Sequence, residues 1–88
     1  MSTAVGYPLV KSVRALAGKK LLVEFDNGVT KTYDCTPLLT TEAFRSLADK
    51  ALFRSVRVDG PGYAVIWNDQ IDLAESELWL NGTTAESD

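Results

Sequence analysis

The carboxylates are the first groups in this chain that could do chemistry. Asp69, Asp72 and Glu75 lie close together in "VIWNDQIDLAE", just after Trp67. Three oxygen donors at such spacing are the raw material of a divalent-cation site, and two carboxylates in unlike surroundings can divide acid and base roles. A second pair, Asp26 and Asp34, flanks a turn at equal strand parity and can face across it. Cys35 supplies the only thiol. Tyr7, Tyr33, Tyr63, Trp67 and Trp79 could form an aromatic face, Gly60-Pro61-Gly62 a glycine-rich loop, and Lys19-Lys20 is the only adjacent basic pair.

Each chemistry asks for more than the sequence supplies. Oxygen-only cation sites take about six to eight ligands, more than the Asp69, Asp72, Glu75 spacing guarantees. Histidine is absent, which removes the commonest general base and zinc ligand and the imidazole partner of a nucleophilic cysteine or serine. Cys35 therefore reads as a small buried residue. Asp26 and Asp34 read as turn and capping aspartates at strand ends. Gly60-Pro61-Gly62 lacks the phosphate-loop pattern and does not open a helix, so it reads as a turn. The expectation is no catalytic residue, no metal and no cofactor.

Charge narrows the partner class. Nine basic residues are scattered among twelve acidic ones, for a net charge of -3. Nucleic-acid surfaces cluster Lys and Arg, so direct nucleic-acid contact is not expected, and the Lys19-Lys20 pair reads as a solvated turn. A mildly acidic surface suits solubility or a basic protein partner. The aromatics to anchor such a partner are Trp79, which lies near a polar end, together with Trp67 and Tyr63. A single cysteine and the lack of an apolar span or signal-like start point to the cytoplasm, with no membrane contact.

The elements that position these groups follow from periodicity. At 88 residues, 45% hydrophobic and 24% charged, the chain holds one small globular domain. Its expected extent is 7–80, with 1–6 and 81–88 as flexible tails. Residues 9–16 read as a first strand with an irregularity, because neither parity is purely apolar. Leu21, Val23 and Phe25 share a face, Asp26-Asn27-Gly28 turns in type I′ geometry, and Val29, Tyr33 and Cys35 return. Pro37 opens a helical region. Phe44, Leu47, Ala48 and Ala51 or Leu52 then trace one amphipathic helix through "TTEAFRSLADKALF". Val56 to Trp67 forms a second hairpin around Gly60-Pro61-Gly62. Asn68-Asp69-Gln70 turns, and Asp72 with Glu75 makes a capping box for a short helix over Leu73 to Leu80. The expected fold is α+β: a mostly antiparallel sheet of about five strands, order β-β-β-α-β-β plus a C-terminal helical turn, with one main helix packed on it.

The runs "VKSVRAL", "LLVEFDNGVTKTYDCTPLL", "FRSLADKALFRSVRVD" and "AVIWNDQIDLAESEL" resemble a small bacterial family, domain of unknown function 2442, over roughly Tyr7 to Leu80. Its signature here comprises Asp26, Asn27, Gly28, Asp34, Pro37, Trp67 and Asp72, with Glu75 following. Gln70 stands where such sequences usually carry glycine, which implies a different turn. The resemblance implies a compact α+β domain, found alone or ahead of a helix-turn-helix region that this chain lacks. It also implies gene neighbourhoods like those of toxin–antitoxin pairs, and it carries over no catalytic residue. The functional expectation is a non-enzymatic protein-interaction or regulatory module, antitoxin-like, acting on a small protein encoded nearby. The alternative is an accessory or sensory domain of a transcription system that homodimerises or binds a small ligand.

Overall fold

The computed structural model describes residues 7–84; the expected tail at 1–6, and residues 85–88 of the tail expected at 81–88, lie outside the described residues. Seven strands run in chain order: β1 Val10–Leu16, β2 Lys20–Phe25, β3 Thr30–Asp34, β4 Arg57–Asp59, β5 Ala64–Asn68, β6 Ile71–Ala74 and β7 Thr83–Thr84. Between β3 and β4 come two 3-10 segments, Thr36–Thr40 and Glu42–Ala48, and helix α1, Lys50–Phe53; α2, Glu75–Asn81, precedes β7. The fold is α+β with antiparallel pairing throughout. In place of one sheet of about five strands, it has two: β1-β2-β3-β7 and β4-β5-β6.

The large sheet is built as period-two patterning requires. Leu21, Val23 and Phe25 are fully buried on one face of β2, with Tyr33 and Cys35 beside them. The irregularity expected in the first strand is a register shift between Val10 and Ser12. It lets Val10 as well as Val13 and Ala15 reach the core despite their mixed parity. The Asp26-Asn27-Gly28 turn is not type I′: among these only Gly28 has positive φ, at 91°. The Phe25 carbonyl accepts from Gly28 N–H at 3.0 Å, and Phe25 N–H donates to Val29. Asn27 Oδ1 accepts from Val29 N–H at 3.0 Å. This is a three-residue loop with the glycine in the left-handed position.

The expected single helix is broken. Thr41 and Asp49 are both extended, with ψ of 148° and 118°, so the segment divides into a 3-10 run and the four-residue α1. The reason lies in short polar side chains. Asp49 Oδ1 takes the N–H of Ala51, and the Thr41 hydroxyl donates to the Leu38 carbonyl, each competing with helix continuation. Leu47 and Phe53 reach the core, while Ala48 and Ala51 stay exposed.

A second correction concerns Asp72 and Glu75. Residues 71–74 form an edge strand, with Ile71 and Leu73 buried and Asp72 and Ala74 exposed. Asp72 faces Ile66 across the ladder, and the cap of α2 is Ala74, which gives no side-chain bond. There is no capping box; Glu75 Oε1 accepts from the adjacent Ser76 N–H. The Asp69-Gln70 loop has no positive φ, so it lacks the primed geometry that matches strand twist. A register shift between Ile66 and Asn68 absorbs the mismatch.

The two sheets share one core and meet at a seam. Val10 N–H donates to the Gly62 carbonyl at 2.9 Å across it, while Glu75 N–H to the Tyr63 carbonyl, also 2.9 Å, extends the β5–β6 ladder. Gly62 is buried with φ of 114°, and a Cβ there would stand 2.4 Å from the Val10 carbonyl oxygen. Only glycine fits. Residues 81–84, expected as tail, include β7, which pairs with β3 through Thr83 and Thr32.

Candidate functional site

A cleft of about 670 Å³ opens at the free end of β3. Strand alternation creates it. Cys35 N–H donates to the Lys19 carbonyl at 2.9 Å and Phe25 N–H to Val29 at 2.8 Å, which fixes the odd residues of β3 as bonded to β2. The N–H and C=O of Thr30, Thr32 and Asp34 therefore point away from β2. β7 covers Thr32 and stops, because the preceding chain is α2. The backbone of Asp34 is left facing the cleft, between Pro37 and Leu38 on one side and Glu77 and Asn81 on the other.

The side chains there are mutually satisfied. Tyr33 is buried, and its hydroxyl donates to Glu77 Oε2 at 2.7 Å, tying α2 to the large sheet. Burial first, and then the Glu77 carboxylate, raise the Tyr33 phenol well above its ordinary range. Asp34 Oδ1 accepts from Thr36 N–H at 2.9 Å, and this bond holds the exposed carboxylate below its ordinary value. Lys20 lies directly across the ladder. Cys35 is fully enclosed; burial, assisted by the charge on Asp34, pushes its thiol up to about 12. Phenol and thiol thus stay protonated and Asp34 ionised at neutral pH. The cleft presents backbone and carboxylate acceptors with the Lys20 ammonium beside them, rather than a proton-transfer pair.

The residues singled out from sequence are dispersed. Asp26, Asn27 and Gly28 form the exposed hairpin tip, away from Asp34 at the other end of the ladder. Asp69, Asp72 and Glu75 occupy a loop, an exposed edge and a helix start. Among the described residues no three His, Cys, Asp or Glu side chains gather to hold an ion. Trp67 is 2% exposed, stacks on Phe53 at 6.2 Å, and donates its Nε1–H to the Phe53 carbonyl at 3.0 Å. It is a core residue that pins the end of α1, not a surface anchor. Trp79 is half-buried, edge-on to Phe25 at 5.1 Å, with the Lys31 ammonium 4.2 Å from its ring centre. Lys31 also donates to the Trp79 carbonyl, placing a cation in the last turn of α2. Tyr63 is 61% exposed and stands apart from the cleft.

Sequence reasoning missed the Tyr33–Glu77 bond and the role of Lys31. Their one local signal was parity: Lys31 and Tyr33 share the inward side of β3, where a lysine requires a specific partner. No helix among the described residues is long and apolar enough to cross a membrane.

A family model described as "Protein of unknown function (DUF2442)" matches residues 10–84. No curated protein and no solved structure matches the chain. The family match begins with β1, ends with β7 and takes in every element of both sheets, and the chain belongs to the DUF2442 family.

Proposed function

We propose that the protein is a non-enzymatic binding module that captures a segment of another small protein in the β3 cleft, in the manner of an antitoxin and its partner. The observation behind this reading is the backbone of Asp34, an unpaired strand end lying in the β3 cleft. An extended segment can continue the sheet there, antiparallel to β3, where β7 leaves off. Asp34 and Glu77 outnumber the single cation, Lys20, in the lining, and with the chain's net charge of -3 they favour a basic segment. The compartment this reading assumes is a reducing cytoplasm, where the Cys35 thiol stays free. Self-association through β6, an edge strand of the small sheet, is less favourable, since antiparallel pairing of two copies centred on Asp72 sets like charges face to face.

Co-expression with the product of the adjacent gene, followed by size exclusion, tests the proposal. Co-elution at micromolar concentration is expected, with loss on Asp34→Pro, which removes the N–H facing the cleft. Separate elution of the two wild-type proteins overturns it.

A further inference from the structure

A second cleft, about 360 Å³, lies at the β1–β2 turn and is lined on one side by Ala15, Leu16 and Gly18. Three cations surround it: Lys19 from the turn, and Lys50 and Arg54 from the two ends of α1. No acidic residue lines it. Among the described residues the one ion pair is Lys11 with Glu24 at 3.9 Å, so none of the three meets a carboxylate partner among those residues. In a chain with more acids than bases, three unpaired cations around one concavity mark a site for an external anion.

The β1–β2 turn places the first of these cations. Lys19 is the one non-glycine residue with positive φ, 60°, among the described residues. A side chain pays for that conformation with strain, and glycine would avoid it. The strained turn aims the lysine at the cleft, with its ammonium 5.3 Å from the centre of the Phe53 ring. Cys35 N–H holds the Lys19 carbonyl at 2.9 Å, and the opposite wall is fixed by the Trp67 bond to Phe53. These bonds fix the backbone on both walls of the cleft, and Lys50 and Arg54 stand exposed at the two ends of the four-residue α1.

We infer that this cleft binds a phosphate group, as the free ion or as the phosphomonoester of a small molecule. Three cations match the charge of about -1.5 to -2 that a phosphomonoester carries at pH 7. Ala15 and Leu16 offer an apolar floor for an organic substituent. The footprint is a single pocket rather than a basic stripe, which fits one phosphate and not a nucleic-acid backbone.

The test is NMR titration with inorganic phosphate and, separately, phenyl phosphate, at constant ionic strength in chloride. Saturable shifts confined to the amides of Gly18, Lys19 and Arg54 are expected. Tighter binding of phenyl phosphate assigns the site to an ester; equal affinity assigns it to the free ion. Lys19→Gly keeps the fold, because glycine suits the positive φ, and weakens binding at least about tenfold, as does Arg54→Gln. Shifts that do not saturate, shifts spread equally over Lys11 and Lys20, or affinity unchanged in both variants overturn the inference.

Discussion

Two glycines in one turn permit a differential test of the seam. Gly60 and Gly62 both have positive φ, 57° and 114°, but a Cβ on Gly60 meets nothing within 4 Å. A Cβ on Gly62 meets the Val10 carbonyl oxygen at 2.4 Å and the Val10 nitrogen at 2.9 Å. Gly60→Ala therefore costs left-handed strain, about 1–2 kcal/mol, together with the restriction that Pro61 places on a preceding Cβ. Gly62→Ala costs about 1–3 kcal/mol of backbone strain. It also breaks the Val10–Gly62 hydrogen bond, about 0.5–1.5 kcal/mol, and lifts Val10, 2% exposed, partly out of the core for about 1 kcal/mol more. The sum, about 2.5–5.5 kcal/mol, is a large part of the roughly 4–13 kcal/mol expected of a domain this size. Urea unfolding monitored by tryptophan fluorescence should show Gly62→Ala at least about 1 kcal/mol less stable than Gly60→Ala, a gap of roughly 4 °C or more in Tm. Equal losses in the two variants would refute the seam as a required close approach.

Alkaline pH gives a second prediction. Both states of the chain keep the Cys35 proton below about pH 9, so stability there is complete. Above it the unfolded chain ionises while the folded thiol holds out to about 12, so stability falls by about 1.4 kcal/mol per pH unit across that window. Tyr33, raised from its ordinary value of 10.0, adds loss of the same sign at higher pH. Urea midpoints for Cys35→Ala should fall less steeply between pH 9 and 11 than those of wild type. Trp67→Phe, which strands the Phe53 carbonyl and leaves a cavity, should cost about 2–3 kcal/mol by thermal melt. Asp49→Ala removes the side-chain cap of α1 and should cost about 1 kcal/mol by urea titration. Lys31→Met deprives the last turn of α2 of its cation and should cost about 0.5–1 kcal/mol, less at high salt.

The hairpin of β2 and β3 was legible because one face, Leu21, Val23 and Phe25, is apolar without exception and a glycine ends the turn. The turn type was not, since the same three residues serve a two-residue or a three-residue loop, and only the ladder register decides. The helix was misread at Asp49, where a side-chain bond to Ala51 outcompetes a pattern of otherwise helical period. At 71–74 two local signals conflicted: a carboxylate spacing that suits a cap, and the alternation of Ile71 and Leu73 that suits a strand. Pairing with β5 decided for the strand. Neither cleft could be read, because each assembles distant residues: Tyr33 with Glu77 in one, Lys19 with Lys50 and Arg54 in the other. Spacing along the chain carries no trace of such meetings.

The seam between the sheets also has a kinetic side. The turns of both sheets are short, so β1 to β3 and β4 to β6 each close through local contacts, at small cost in loop entropy. The bond from Val10 to Gly62 joins strands from the two halves of the chain and closes a far longer loop. The hairpins should therefore form first, with their docking late and rate-limiting. The amide proton of Val10 then becomes a reporter of that last step. Its exchange with deuterium follows the parting of the two sheets, even while the hairpin amides of Val23 and Val65 remain protected.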